Sequence, residues 1–218
     1  MRISFDEWIK WVFDHPVTSP EWYWQGGLRT VDNPAGQVVE FLGRLFEDPG
    51  RSTEEYSDEQ LNQGLWFIAD SSCSEHISAL LDEGVVLELR ERCIRSMGAL
   101  FEKLFAKRCS PHMASLNQIG VRPLNATCYM WWDLLASATA PEDGHRLLDQ
   151  TVCLEVMQNI LSLSNIACQE SALHGLGHWQ RNFQRETRQI VEEFLLKNPQ
   201  VSGELRNYAL KAVMGQVE

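Results

Sequence analysis

The sequence predicts an all-α protein, and three observations lead there. Helix-start signatures recur: Ser4-Phe5-Asp6-Glu7 and Ser57-Asp58-Glu59-Gln60 are capping boxes, in which a Ser hydroxyl and a Glu or Gln side chain satisfy each other's free backbone N–H groups. Apolar residues follow the three-four rhythm of a buried helix face, most clearly Val86, Leu89, Cys93, Met97, Leu100 and Leu104. No stretch alternates β-branched and polar residues between turn signals, as strands require. About nine helices in antiparallel pairs, as a helical repeat or an irregular bundle, account for residues 1–218 as a single domain.

In order, the first box opens a helix running through Phe13, with Phe5, Trp8, Ile9 and Val12 inward, and His15-Pro16 ends it. Residues 16–33 form a loop carrying Trp22-Tyr23-Trp24. Asn33 reads as a cap with Pro34 at the first helical position, for a helix to about Glu47 that buries Val38, Val39, Leu42, Leu45 and Phe46. Asp48-Pro49-Gly50 breaks it. The second box opens Asp58 to Ala69, burying Leu61, Leu65, Trp66 and Ile68. A short helix near 75–82 and a long one over 85–107 follow, then a loop over 108–124 with prolines at 111 and 123. Asn125 caps a helix containing Met130-Trp131-Trp132, and Pro141-Glu142-Asp143-Gly144 starts another to about Ser162. Ser164-Asn165 caps Ala167–Trp179, and helices over 185–197 and 202–217 end the sequence.

Charge and cysteine content narrow the function classes. The net charge is −11, and residues 1–109 carry 11 basic against 19 acidic groups, or −8 of it. Such a field disfavours nucleic acid and anionic membrane and favours a protein partner with a basic surface. The arginines Arg90, Arg92 and Arg95, and Arg181, Arg185 and Arg188, are interleaved with acids, without the aromatic spacing of a nucleic-acid groove. Six cysteines occur with no CxxC pair, and Cys93, Cys128, Cys153 and Cys168 fall in apolar helical patterns, as buried free thiols of a reducing cytoplasm do. Acids interrupt the N-terminal MRISFDEWIKWVFDHP, which does not read as a signal peptide, and no apolar run is long enough to span a membrane.

The stretch Ala167–Trp179 is the least surface-like. Ala167, Ser171, Ala172 and Gly175 share a small-residue face that admits a neighbouring helix closely, offsetting the roughly 1 kcal/mol that each helical glycine costs. Glu170, His174 and His178, four apart, stack on one face and form the alternative metal set of a metal-dependent enzyme. The HExxH motif needs Glu directly after its first His, and Gly175 stands there, so the face reads first as a hydrogen-bonded histidine seam with no metal. No Walker loop, G-x-G-x-x-G or G-x-S-x-G is present, and no cofactor is expected. Cys168 paired with His112 or His145 is the remaining nucleophile arrangement, and nothing in the spacing marks it.

Two stretches echo each other. Asn62-Gln63-Gly64-Leu65-Trp66-Phe67-Ile68 aligns with Leu173-His174-Gly175-Leu176-Gly177-His178-Trp179, and Glu88-Leu89-Arg90 with Glu204-Leu205-Arg206, outlining two similar halves over 57–107 and 165–218. The run Glu170-Ser171-Ala172-Leu173-His174-Gly175-Leu176-Gly177 resembles the Ala-Leu-x-x-Leu-Gly pattern of HEAT and armadillo-type α-helical repeats. The resemblance covers about the last 75 residues and, more faintly, 57–105. It implies a scaffold whose concave face binds another macromolecule.

Contact residues are sought where large aromatics or acids lack a structural use. Trp22, Tyr23 and Trp24 cannot all face one core from one extended segment, so one is expected outside as a contact anchor. Glu54, Glu55, Asp58 and Glu59 belong to an acidic stretch suited to steering a basic partner, although Asp58 and Glu59 also suit a helix N-terminus. The resulting expectation is a non-catalytic cytoplasmic interaction protein, of the immunity or antitoxin type that masks a basic partner.

Overall fold

The computed structural model describes residues 1–27, 31–116, 119–139 and 150–217. Those residues are all-helical. The α-helices are α1 (Phe5–Phe13), α2 (Ala35–Glu47), α3 (Pro49–Thr53), α4 (Asp58–Ala69), α5 (Leu87–Leu100), α6 (Ala106–Arg108), α7 (Leu124–Thr139), α8 (Gln150–Ile160), α9 (Ile166–Trp179), α10 (Gln184–Lys197) and α11 (Gly203–Val213). Single 3-10 turns lie at Trp22–Trp24, Ile77–Leu81 and Ala114–Leu116, and a π-helical turn, Phe101–Phe105, joins α5 to α6. The expected start of a helix at Pro141 lies outside the described residues.

The long helices alternate between two layers. One holds α1, α4, α7, α9 and α11, each packed on the next; the other holds α2, α5, α8 and α10 in the same manner. Neighbours within the first layer run parallel where contacts trace them. Cys128 meets Ala167 and Ser171, and Trp132 meets Gly175 further along both α7 and α9. His174 likewise meets Tyr208, and Gly177 meets Val217 just past α11. Successive α8 and α9 are antiparallel, since Gln169 reaches back to Leu161 and Leu163 while Met157 touches Gly175. The core is sealed between the layers by Phe46 of α2, Phe101 and Phe105 of the π turn, and Trp131 and Trp132 of α7.

Both capping boxes form as expected, at Ser4 with Glu7 and Ser57 with Gln60. Two other caps do not. Asn33 does not cap α2, whose N-cap is Pro34; its amide instead bonds both the N–H and the carbonyl of Ile3. Asn125 lies inside α7 rather than at its cap, accepts from Ser110 N–H and donates to the carbonyls of Ser110 and His112, so it ties down the preceding loop. After the Asp48 break, Pro49 starts a new short helix, its missing N–H costing nothing at a first-turn position. Phe67, rather than Trp66, is the more deeply buried aromatic of α4.

Layer order separates the two echoing halves. In 165–218 the helices α9, α10 and α11 alternate layers, and α9 lies against α11. In 57–107 the middle element is only the turn Ile77–Leu81, so α4 and α5 fall in opposite layers, α4 against α1 and α7, and α5 against α2 and α8.

Candidate functional site

Of the three candidate contact residues Trp22, Tyr23 and Trp24, the first two are buried and so drop out as contact residues. Trp22 stacks on His15 with ring centres 3.7 Å apart and leans on Phe67, while Tyr23 packs on the same Phe67. Burial and nearby acids raise the Tyr23 hydroxyl far above its ordinary range, so it stays neutral. Trp24 alone is 54% exposed, and Val17 of the same loop is 53% exposed. Gln60 and Gln63 of α4 hold the loop through the carbonyls of His15 and Thr18. After Trp24 the chain turns on Gly26 and Gly27, whose φ angles of 78° and 76° lie in the region that favours glycine.

The acids separate by role. Glu54 and Glu59 are exposed. Glu55 is exposed too and lines a cleft of mixed charge shared with Asp6, Lys10, Arg44, Asp48 and Arg51. Asp58 is no free contact residue: its carboxylate accepts from Arg108 Nε at 2.5 Å, both side chains being mostly shielded. This pair ties the start of α4 to the end of α6. Because Gln60, Gln63 and Phe67 seat the aromatic loop on α4, that loop and Glu59 share one helix, about 12 Å apart along its axis from residue 59 to 67.

The second region is the helix α9, and here the expected set divides. Glu170 is fully buried and points at the Ala114–Leu116 turn, accepting the N–H groups of Ala114 at 2.6 Å and Ser115 at 3.1 Å and the Ser115 hydroxyl. Burial raises its carboxyl above the usual carboxylate range, against the opposing pull of these donors. Glu170 is therefore a clamp on the 108–124 loop and does not act with His174 and His178 as a ligand set. Its donors exhaust the role that the four-residue spacing assigned to it.

His174 and His178 do meet, with their Nε2 atoms 3.0 Å apart. The carboxylate that joins them is Asp133 of α7, whose Oδ1 lies 3.5 Å from His178 Nε2. One ligand atom from each of the three residues lies within 4.8 Å of the others. His174 is buried and its Nδ1 bonds the Tyr208 hydroxyl at 2.7 Å; that hydroxyl bonds the Tyr129 hydroxyl at 3.0 Å. The Tyr129 ring lies 4.2 Å from the imidazole of His174. Burial, and then His178, push the His174 imidazole down to about 3, so it is neutral at physiological pH. The side chains of Asp133 and His178 are each 32% exposed. Neither Asp133 nor Tyr208 was singled out by the sequence pattern. Asp133 had one legible signal, being the only charged residue in α7; Tyr208 had none.

No disulfide joins cysteines among the described residues, and Cys168 is fully buried beside Cys128 and Cys109. His145 lies outside the described residues. No described helix is long and apolar enough to cross a membrane. Comparison with protein-family models, with curated proteins and with solved structures finds no match to this chain.

Proposed function

We propose that the protein is a HEAT-like helical scaffold that binds another protein with a basic surface, in the cytoplasm and without chemistry of its own, as an immunity or antitoxin-type protein does. The observation that carries the reading is Trp24. It stands out from a turn whose other two aromatics are locked into the core, so the anchor is rigid before it meets a partner and little ordering entropy is lost on contact. Glu54 and Glu59 supply the field that steers a basic surface toward it. The alternating layers support the scaffold part of the reading, since repeats of this kind present one long face.

Immobilised protein tests this in extracts of the source cells. Wild type is expected to retain a basic protein that Trp24→Ala binds at least about 30-fold more weakly, the size of an interface hot spot. The double variant Glu54→Lys/Glu59→Lys should lose it as well. Trp24→Ala should leave the unfolding free energy within about 0.5 kcal/mol of wild type, because an exposed side chain has little to lose. Equal retention by all three proteins, or retention of no basic protein, would count against the proposal.

A further inference from the structure

We infer that Asp133, His174 and His178 hold a divalent first-row transition-metal ion of the zinc class, with one coordination position open to water. The ligand atoms are spaced for one ion. Ligand atoms bound about 2.1 Å from one ion at a tetrahedral angle lie about 3.4 Å apart. The His174 Nε2 to His178 Nε2 and His178 Nε2 to Asp133 Oδ1 separations, 3.0 and 3.5 Å, bracket that spacing. The remaining pair, His174 Nε2 and the Asp133 carboxylate, lies within 4.8 Å, and the Asp133 side chain is partly exposed.

The outer hydrogen bonds support the same assignment. A metal-bound imidazole offers one nitrogen to the ion and donates through the other, and the acceptor of that bond fixes the ring and its tautomer. His174 has such a partner on its far side. With Nε2 turned to the ion, Nδ1–H donates to Tyr208, and the Tyr208 hydroxyl in turn donates to Tyr129. Three helices are thus engaged: α7 gives Asp133 and Tyr129, α9 both histidines, and α11 Tyr208.

Donor chemistry sets the metal class. Two imidazoles and one carboxylate without a thiolate suit zinc, iron, cobalt or manganese in the divalent state, and are too nitrogen-rich for calcium or magnesium. The partial exposure of His178 and Asp133 leaves solvent access on one side, as three-ligand sites have and closed structural sites lack.

The test uses untagged full-length protein equilibrated with zinc chloride, freed of loose metal, and analysed for metal content and by calorimetric titration. Wild type should retain one equivalent. His178→Ala and Asp133→Asn, both at partly exposed positions, should keep their helical signal and thermal transition yet lose the bound zinc. Tyr208→Phe should weaken binding about 10- to 100-fold, as loss of an outer partner does. Glu170→Gln, which keeps one of the two acceptor oxygens of the loop clamp, should, when folded, retain the metal. Failure of folded wild type to take up zinc, or equal uptake by His178→Ala and Asp133→Asn, overturns the assignment. So does loss of zinc from a folded Glu170→Gln, which would return Glu170 to the ligand set.

Discussion

His76 shows how one side chain couples stability to pH. Its Nε2 accepts from the Trp8 indole at 2.9 Å and its Nδ1 meets the Ser74 hydroxyl at 2.8 Å, while burial pushes it down to about 4. The unfolded chain protonates this histidine near pH 6.5 and the folded chain does not, so the unfolded state binds the extra proton. Stability is fully present above that range and falls as pH drops toward 4, by up to about 1.4 kcal/mol per pH unit for this group. Glu170 acts in the opposite sense: its raised folded carboxyl favours the folded state at low pH, and that contribution is lost as pH rises through the folded value. Urea midpoints at pH 7 and pH 5 should therefore differ, and His76→Gln should shrink the difference, the remainder coming from His174, which burial also holds neutral. Glu170→Ala strips the acceptor from two backbone N–H groups and should cost about 1–3 kcal/mol, with faster amide exchange at Ala114 and Ser115.

At the scale of elements, α9 is held by what its glycines leave out. A Cβ on Gly175 would lie 2.4 Å from Trp132 Cβ and 2.6 Å from Met157 Sδ, and one on Gly177 would lie 2.4 Å from Val217. Gly175→Ala should destabilise by about 1–3 kcal/mol despite its better helix propensity, because α7 and α8 close on it from both sides. Gly177→Ala should cost less, since Val217, though buried, lies past the end of α11 and can yield without displacing a helix; chemical denaturation of the two variants compares them. Close packing here was legible, because small residues at three-four spacing have few other uses. So were the capping boxes, whose chemistry is local. Asn33 and Asn125 misled for the converse reason: an asparagine beside a proline or a helix start satisfies local rules, yet each bonds a distant backbone that no spacing reveals. The histidine pair was legible as an i, i+4 spacing, but Asp133 comes from another helix, and only the parallel packing of α7 on α9 delivers it. The Glu170 spacing was equally good and its side chain turns to a different loop.

For the whole molecule, charge and layering set the behaviour. Most of the −11 net charge lies in residues 1–109, the half that carries Trp24, Glu54 and Glu59. The association rate with a basic partner should therefore fall steeply as salt rises from 0.05 to about 0.5 M, while dissociation changes little; stopped-flow mixing measures both. Helical content was readable from periodicity and capping signatures. The two-layer order was not, because it depends on which faces meet across connections of very different length, and a five-residue turn at Ile77–Leu81 where a helix was expected shifts every later assignment by one layer.

That ordering also constrains how the molecule comes apart. From α1 to α9 the long helices touch chiefly members of their own layer, whereas α10 packs mainly on α9 and α11, so cooperativity travels along most of the stack much as in a one-dimensional chain of coupled units. The rings of Phe46, Phe105 and Trp131 lock both rows together near the middle, whereas α1 and α11 each have a single neighbour in their row. Fraying from either end is then the cheapest excursion. Slow-exchanging amides should concentrate in α5 and α7 and thin out toward α1 and α11, giving a graded series of opening energies instead of one global value.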